Sequence, residues 1–168
     1  MTSITLKPTS ANDLSFLRDL WNDGRVMQWV GFPNGVGVNE EAINKWYDQR
    51  VSLPHFHHFI VLDEHGNRCG EVHFDLVGSY AGLDIKLCVE AQGKGIATRA
   101  LCAVINKAFA FSDACEYVWT EPSLVNTAAR RLYTRCGLSE SPRPPAMAGD
   151  DPFWTLSRDH WQELKRSP

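Results

Sequence analysis

Several features that place chains in common protein classes are missing from this sequence. Its cysteines are odd in number, five, and none has C-x-x-C spacing, which excludes a disulfide framework or zinc knuckle and predicts buried, reduced thiols. No apolar run approaches the roughly 18 residues that cross a membrane. The opening MTSITLKPTS lacks the apolar stretch of a signal peptide. These absences predict a cytoplasmic protein without a membrane partner.

Strong charge of either sign is also missing. The 168 residues carry 17 lysines and arginines against 20 aspartates and glutamates, a formal net charge of −3. Nucleic-acid binding needs a basic surface, so we expect no such partner, whereas a cationic substrate is compatible with weak acidity. The length and the 43% of hydrophobic residues predict one globular domain over residues 1–168.

Hydrophobic periodicity predicts that strands alternate with helices. The predicted strands lie at residues 3–7, 57–89 (three strands), 115–121 and 153–156. Two helices are predicted to begin after Ser10, which with Asp13 resembles a capping box, and after Asn39. Three more are predicted at 95–111, at 126–136, where Gly137 ends the helix, and after Ser157. The order is β-α-α-β-β-β-α-β-α-β-α, with a further short strand near Leu138. It predicts an α/β fold in which helices pack on a mixed sheet.

The most informative segment is the turn before the helix 95–111. Glycines such as Gly93 and Gly95 let backbone amides approach a ligand, and the helix N-terminus adds unpaired N–H donors and partial positive charge. Together they predict a phosphate site. The P-loop pattern G-x-x-x-x-G-K-S/T is absent, and Thr98 occupies the third glycine position of a dinucleotide motif.

The pattern that fits is Q/R-x-x-G-x-G/A, formed by Gln92, Gly95 and Ala97. Farther along, N-x-x-A-x-x-L-Y-x-x-x-G runs from Asn126 to Gly137. The two motifs, in this order, resemble the GNAT superfamily of acyl-CoA-dependent N-acyltransferases. The resemblance implies a single α/β (α+β) domain, with a mixed, mostly antiparallel central sheet flanked by helices on both faces.

The resemblance also implies acetyl-CoA as co-substrate. In the superfamily the turn holds the CoA pyrophosphate, and the preceding strand splays at a bulge so that its backbone pairs with the pantetheine arm. The residues that the resemblance assigns to cofactor binding are Leu87, Cys88, Val89, Gln92, Gly93, Lys94, Gly95, Ile96, Ala97, Thr98 and Asn126.

A narrower resemblance concerns the acceptor. The segment 120–126, TEPSLVN, is similar to one in aminoglycoside N-acetyltransferases and in enzymes that acylate lysine-like amines, and Asp84 matches an aspartate of the aminoglycoside branch. The segment 27–32, MQWVGF, resembles a ligand-facing segment of many members, and the alternative is that its Trp29 is a core residue. We therefore predict acetylation of a primary amine on a small cationic molecule, such as an aminoglycoside or polyamine-like compound. The alternatives are a peptide or protein N-terminus as acceptor, and a non-catalytic acyl-CoA-binding module.

The predicted chemistry needs a base, because an alkylamine of pKa about 10 attacks a thioester only after losing a proton. Asp84 and Glu121, on neighbouring predicted strands, are the candidates, and the alternative is that either carboxylate belongs to a structural ion pair. Glu71, His73 and water are the further candidates for the base.

The departing CoA thiolate needs a proton in turn. The resemblance assigns its donation to Tyr133, whose alternative role is a core tyrosine. A backbone amide near Cys88 or Val89 is predicted to stabilise the oxyanion, so that transfer is direct within a ternary complex. The Cys88 thiol is expected to pack in the core and not to act as a nucleophile.

A histidine cluster and the assembly complete the predictions. His55, His57 and His58 lie close in sequence, but without further ligands we expect solvent-facing side chains and no metal site. A homodimer is a possible assembly.

Overall fold

The fold is described from a computed structural model covering residues 3–166. Its strands are β1 (Ile4–Pro8), β2 (Phe56–Asp63), β3 (Arg68–Val77), β4 (Tyr80–Leu87), β5 (Tyr117–Thr120), β6 (Ser139–Glu140) and β7 (Trp154–Ser157). Its α-helices are α1 (Leu14–Asn22), α2 (Gly24–Met27), α3 (Glu40–Arg50), α4 (Ile96–Phe111), α5 (Thr127–Arg135) and α6 (Arg158–Arg166).

The strands form one sheet in the order β1-β2-β3-β4-β5-β7-β6. Within residues 3–166, β4 and β5 pair in parallel and the other neighbours pair antiparallel. The predicted mixed, mostly antiparallel sheet is therefore confirmed, as is the short strand near Leu138, which is β6.

Helices cover both faces of this sheet, as predicted. Alternation along β2 sends Phe59 and Val61 into a large apolar cluster with α4, whereas Ile60 packs on the opposite face with Leu17 of α1 and Ile43 of α3. The apolar residues of α4 recur at helical spacing and are buried against the sheet: Ala100, Leu101, Val104, Ile105 and Ala108.

A gap opens in the middle of the sheet. The β4 residues Tyr80, Ala81 and Gly82 pair with β5, but in the described chain the rest of β4, from Leu83 to Leu87, has no β5 partner. The strands therefore separate toward the end of β4, where α4 begins after a short turn. This separation positions the candidate site.

One small helix was not predicted. Helix α2 begins directly after Asp23, the residue that follows α1. The Asp23 side chain caps it by accepting a hydrogen bond of 2.9 Å from the Arg25 amide. A helix of four residues is too short to show an apolar period, so the sequence carries no signal for it. Among the residues that the structure covers, no helix is both long and apolar enough to cross a membrane.

Asp13 anchors the start of α1 to the sheet. Its carboxylate is buried and accepts hydrogen bonds from Lys7, Arg68 and the Ser10 amide at 2.7 to 3.0 Å, which confirms the predicted capping pair. Burial alone would raise the pKa of Asp13, but these donors outweigh it and lower the pKa from 3.8 to about 2.

We expect Asp13→Asn to lower the free energy of unfolding by about 2 kcal/mol at neutral pH, because the folded state favours the ionised carboxylate. A lowered folded pKa stabilises the protein above the unfolded pKa, and this contribution is lost as the pH falls from about 4 to about 2. Urea unfolding across that range measures it. Asp113→Asn, at an exposed position, is the control. A difference between Asp13→Asn and wild type that stays constant with pH would contradict this role.

Candidate active site

A cavity of about 480 Å³ occupies the gap between β4 and β5. Because it lies where the strands separate, it is reached both by α2 on one face of the sheet and by α5 on the other. Its lining includes Val26, Trp29 and Val30 from α2 and the following turn, Asp84 to Leu87 from β4, Gln92, Gly93, Gly95, Ala97 and Thr98 from the turn and α4, and Pro122, Asn126, Ala128, Ala129, Arg131, Leu132, Tyr133 and Arg135 around α5.

The turn before α4 presents backbone amides to this cavity. Gly93 and Gly95 have φ of 73° and 75°, in the left-handed region that glycine adopts without strain. The first hydrogen bond of α4 runs from the Arg99 amide to the Gly95 carbonyl, at 3.4 Å. The preceding amides, of residues 96–98, therefore have no acceptor within the helix. Unpaired amides at a helix N-terminus suit a phosphate group.

Most of the residues predicted to bind the cofactor meet at this cavity. Those in its lining are Leu87, Gln92, Gly93, Gly95, Ala97, Thr98 and Asn126. Cys88, Val89, Lys94 and Ile96 are not in the lining, and the Ile96 side chain is buried in the apolar core. Gln92 also fixes the turn, because its Nε2 donates to the Leu87 carbonyl at 3.1 Å.

The predicted oxyanion donor needs a correction. The Cys88 amide donates to the Cys69 carbonyl at 2.9 Å, across the β3–β4 edge, so this amide is already engaged, whereas the Val89 amide stays a prediction. Hydrogen-bonding sides alternate along a strand, which turns the Leu87 amide away from β3 and toward the gap. Cys88 packs against the core, as expected, and burial raises the pKa of its thiol.

Asp84 lies on the cavity wall beside Lys86. Its carboxylate accepts from the Ile85 amide through Oδ1, at 3.0 Å, and pairs with Lys86 through Oδ2. Lys86 Nζ is also 3.4 Å from Glu71 Oε1. Burial would lower the pKa of Lys86, but the carboxylates of Asp84 and Glu71 outweigh it and hold that pKa well above its ordinary value. Lys86 is therefore an ammonium group shared by two carboxylates.

The reserve candidates for the base lie behind this pair. Glu71 is fully buried and accepts from His58 at 2.8 Å and from the Trp21 indole at 2.9 Å. Burial would raise the pKa of Glu71, but Lys86 and His58 hold it well below its usual range. Burial lowers the pKa of His73 to about 4, against the influence of Asp84. The described cavity lining includes neither Glu71 nor His73, so the structure does not bring them to the site.

The histidine cluster splits between the two faces of β2. His58 is buried and binds Thr9 and Glu71, so the expectation that it faces solvent was wrong. The His57 ring instead stacks on Phe74, with centroids 4.6 Å apart. Among residues 3–166, no group of three or more metal-binding side chains could hold a metal ion.

Glu121, the second predicted base, is turned to another partner. It follows β5 and forms an ion pair with Arg143 of the proline-rich loop 141–152, and the described lining of the cavity does not include it. The role of Glu121 as a base stays a prediction. Its ion pair with Arg143 fits the alternative, in which this carboxylate belongs to a structural ion pair.

Tyr133 and Asn126 reach the cavity from α5. Tyr133 is almost fully buried, and burial together with the Asp84 carboxylate raises its pKa to about 12. The phenol therefore keeps its proton at neutral pH. Asn126 caps α5, where its Oδ1 accepts from the Ala129 amide at 3.0 Å, and it lines the cavity as well.

Three cationic side chains of the lining are marked by no motif: Lys86, Arg131 and Arg135. Secondary-structure spacing could have found them. Lys86 lies two residues beyond Asp84, on the same face of the strand, and Arg131 and Arg135 lie one helical turn apart on α5.

A family model described as an acetyltransferase (GNAT) domain matches residues 3–139. Among curated proteins, no sequence matches the chain. The structure of spermidine N-acetyltransferase from Vibrio cholerae, in complex with CoA and spermine, has a TM-score of 0.81 at 20% identity, over 95% of this chain and 98% of that one. AAC(6')-Ib in complex with ribostamycin and coenzyme A has a TM-score of 0.83 at 17% identity, over 99% of each chain. At these identities the two structures establish the fold alone.

Proposed function

Because the chain belongs to the GNAT acetyltransferase family, whose co-substrate is acetyl-CoA, we propose that it transfers the acetyl group to the primary amine of a small molecule. The observation that carries this proposal is the cavity at the gap between β4 and β5. Backbone amides of the turn lie at its cofactor end, and Asp84 and Tyr133 lie in its wall.

The proposed binding of acetyl-CoA follows from the donors at the gap. The amides at the start of α4 suit the pyrophosphate, and the outward carbonyl of Ile85 suits an amide group of the pantetheine arm. Arg131 and Arg135 add positive charge along the same wall. Asn126 offers its side-chain amide beside them.

The proposed reaction is a direct attack. The ammonium approaches Asp84 and loses a proton to that carboxylate or through water, and the free amine then attacks the thioester carbonyl. The Leu87 amide is oriented to stabilise the oxyanion. When the C–S bond breaks, Tyr133 donates its proton to the CoA thiolate, and the proton that the nitrogen loses as the amide forms returns to the phenolate through water. The raised pKa of Tyr133 keeps the phenol proton available at neutral pH.

The finer assignments made from the sequence belong to this proposal. An aminoglycoside or polyamine-like acceptor is supported by the complexes of the two neighbours, which contain ribostamycin and spermine. A peptide N-terminus is the second candidate, because neither Glu121 nor the loop 141–152 closes the described cavity. A cytoplasmic location and a homodimer stay predictions.

A thiol-release assay tests the proposed function. Free CoA thiol is measured in the presence of acetyl-CoA and a panel of primary amines. We expect release that saturates with acetyl-CoA and with at least one amine. No amine-dependent release from folded protein that binds acetyl-CoA would assign the chain to the non-catalytic alternative.

We expect Asp84→Asn to raise KM for the amine and to lower kcat, with kcat/KM reduced about fivefold, the upper end for one partly exposed charge pair. Acetyl-CoA affinity should hardly change, because the carboxylate lies on the acceptor side. Steady-state kinetics and acetyl-CoA titration measure the two effects. Glu121→Gln is the matched comparison. If kcat/KM fell only in Glu121→Gln, the base would be Glu121 and not Asp84.

A further inference from the structure

The acceptor side of the cavity already contains a cation of the protein itself. Asp84 is the one carboxylate in the described lining, and both of its oxygens are engaged, by the Ile85 amide and by Lys86. Lys86 lies between Asp84, in the cavity wall, and Glu71, which is buried behind it, and pairs with both carboxylates. The place beside Asp84 is therefore taken by the protein's own ammonium.

The carboxylates on segments that flank the cavity are also paired internally. Asp23, just before α2, binds Arg25 at 2.6 Å, and Glu90, between β4 and α4, lies 3.8 Å from the same guanidinium. Glu121, after β5, pairs with Arg143. A polycation would have to break these pairs to gain its own, which costs about as much as it gains.

Exposed apolar side chains are concentrated on the segments beside the cavity. Of the nine large apolar side chains that are exposed among residues 3–166, six lie on the two segments beside the cavity: Trp29, Val30, Phe32, Val36, Leu124 and Val125. Trp29 and Val30 belong to the lining itself, and each is nearly half exposed. Clustered exposed apolar residues beside a cavity indicate a surface that an apolar group covers.

From these observations we infer that the acceptor is a small monoamine with an apolar or aromatic body, and that Lys86 excludes acceptors that bring a second ammonium into the cavity. The single ammonium approaches Asp84, and the body packs on Trp29 and Val30. This inference rests on the proposed transfer to a primary amine of a small molecule, and it replaces the polycationic acceptor with a monoamine.

The physical basis is like-charge repulsion at short range. A diamine or triamine whose second nitrogen lies beside Asp84 meets the ammonium of Lys86, which two carboxylates hold in place and which is little exposed to water. A monoamine avoids this repulsion. Its apolar body gains free energy by covering the indole of Trp29.

The wild-type protein tests the inference without any substitution. We expect kcat/KM for phenylethylamine to exceed that for spermidine, putrescine and kanamycin by at least about tenfold. Equal or better turnover of the polycations would overturn the inference and leave the proposed function intact. Better turnover of a short peptide than of phenylethylamine would overturn the small-molecule part. No turnover of any amine would overturn the proposed function and this inference with it.

Two variants test the named residues. Lys86→Met should raise kcat/KM for putrescine relative to phenylethylamine by about tenfold, because it removes the ammonium beside Asp84 and keeps a side chain of similar size. Trp29→Ala should lower kcat/KM for phenylethylamine about tenfold and hardly change that for methylamine. Val77→Ala, at an exposed apolar position outside the described lining, is the control. An unchanged amine preference in folded Lys86→Met would overturn the role of Lys86, and if this variant does not fold, the wild-type comparison decides.

Discussion

Gly95→Glu is expected to abolish the thermal stabilisation that acetyl-CoA gives to the wild type. At a hundredfold excess over Kd, a ligand that binds only the folded state adds about 2.7 kcal/mol, which is about 5–10 °C in Tm for a domain of this size. Gly95 lines the cavity at the N-terminus of α4, so a carboxylate there brings negative charge to the place proposed for the pyrophosphate.

The control for this substitution is Gly66→Glu. Gly66 lies in the turn between β2 and β3, has a φ of 80°, and like Gly95 has no atom within 4 Å of an added Cβ. The substitution Gly66→Glu therefore introduces the same backbone strain and the same charge at a position away from the cavity. Differential scanning fluorimetry with and without acetyl-CoA measures both variants. If acetyl-CoA raised the Tm of Gly95→Glu as much as that of the wild type, the proposal that the pyrophosphate binds at this turn would be wrong.

Tyr133→Phe is expected to lower kcat on the order of 10²-fold, equivalent to about 2.7 kcal/mol of transition-state stabilisation. Phenylalanine keeps the buried ring and deletes only the hydroxyl proposed to protonate the thiolate. Acetyl-CoA affinity should change much less. Turnover per folded active site, measured beside a melting curve, separates this effect from the roughly 1 kcal/mol of stability that one hydrogen bond provides.

The matched control is Tyr117→Phe, which removes a hydroxyl from a ring that stacks on Tyr80, outside the described lining of the cavity. It should leave kcat unchanged. If folded Tyr133→Phe turns over as fast as the wild type, water protonates the thiolate and Tyr133 is a core residue.

The fold could be predicted well because most of its elements have their own local signals. Strand alternation, the α4 stripe and the left-handed Gly137 (φ 90°) all lie in contiguous sequence. The short α2 escaped prediction because four residues do not make a period. The two motifs led to the gap in the sheet, since they lie on the two helices that border it.

The partners of the acidic residues could not be predicted. Asp84 and Lys86 are two residues apart on one face of β4, but the third member of their cluster, Glu71, comes from β3 through a register that the sequence does not specify. Arg143 reaches Glu121 from a loop without periodicity. Pairing of charges is a tertiary property, and it decided which predicted base faces the cavity.

The most direct test of the account is to follow the acetyl group in a single turnover. Protein, acetyl-CoA and an accepted amine are mixed and quenched, and the protein, the CoA and the amine are analysed by mass spectrometry. The account predicts that CoA thiol and N-acetylated amine appear together in equal amounts, that neither forms without the amine, and that the mass of the protein does not change. Acetylated protein that forms before the amine is added, and then passes its acetyl group to the amine, would contradict direct transfer. Unaltered acetyl-CoA with every amine would contradict the acetyltransferase itself.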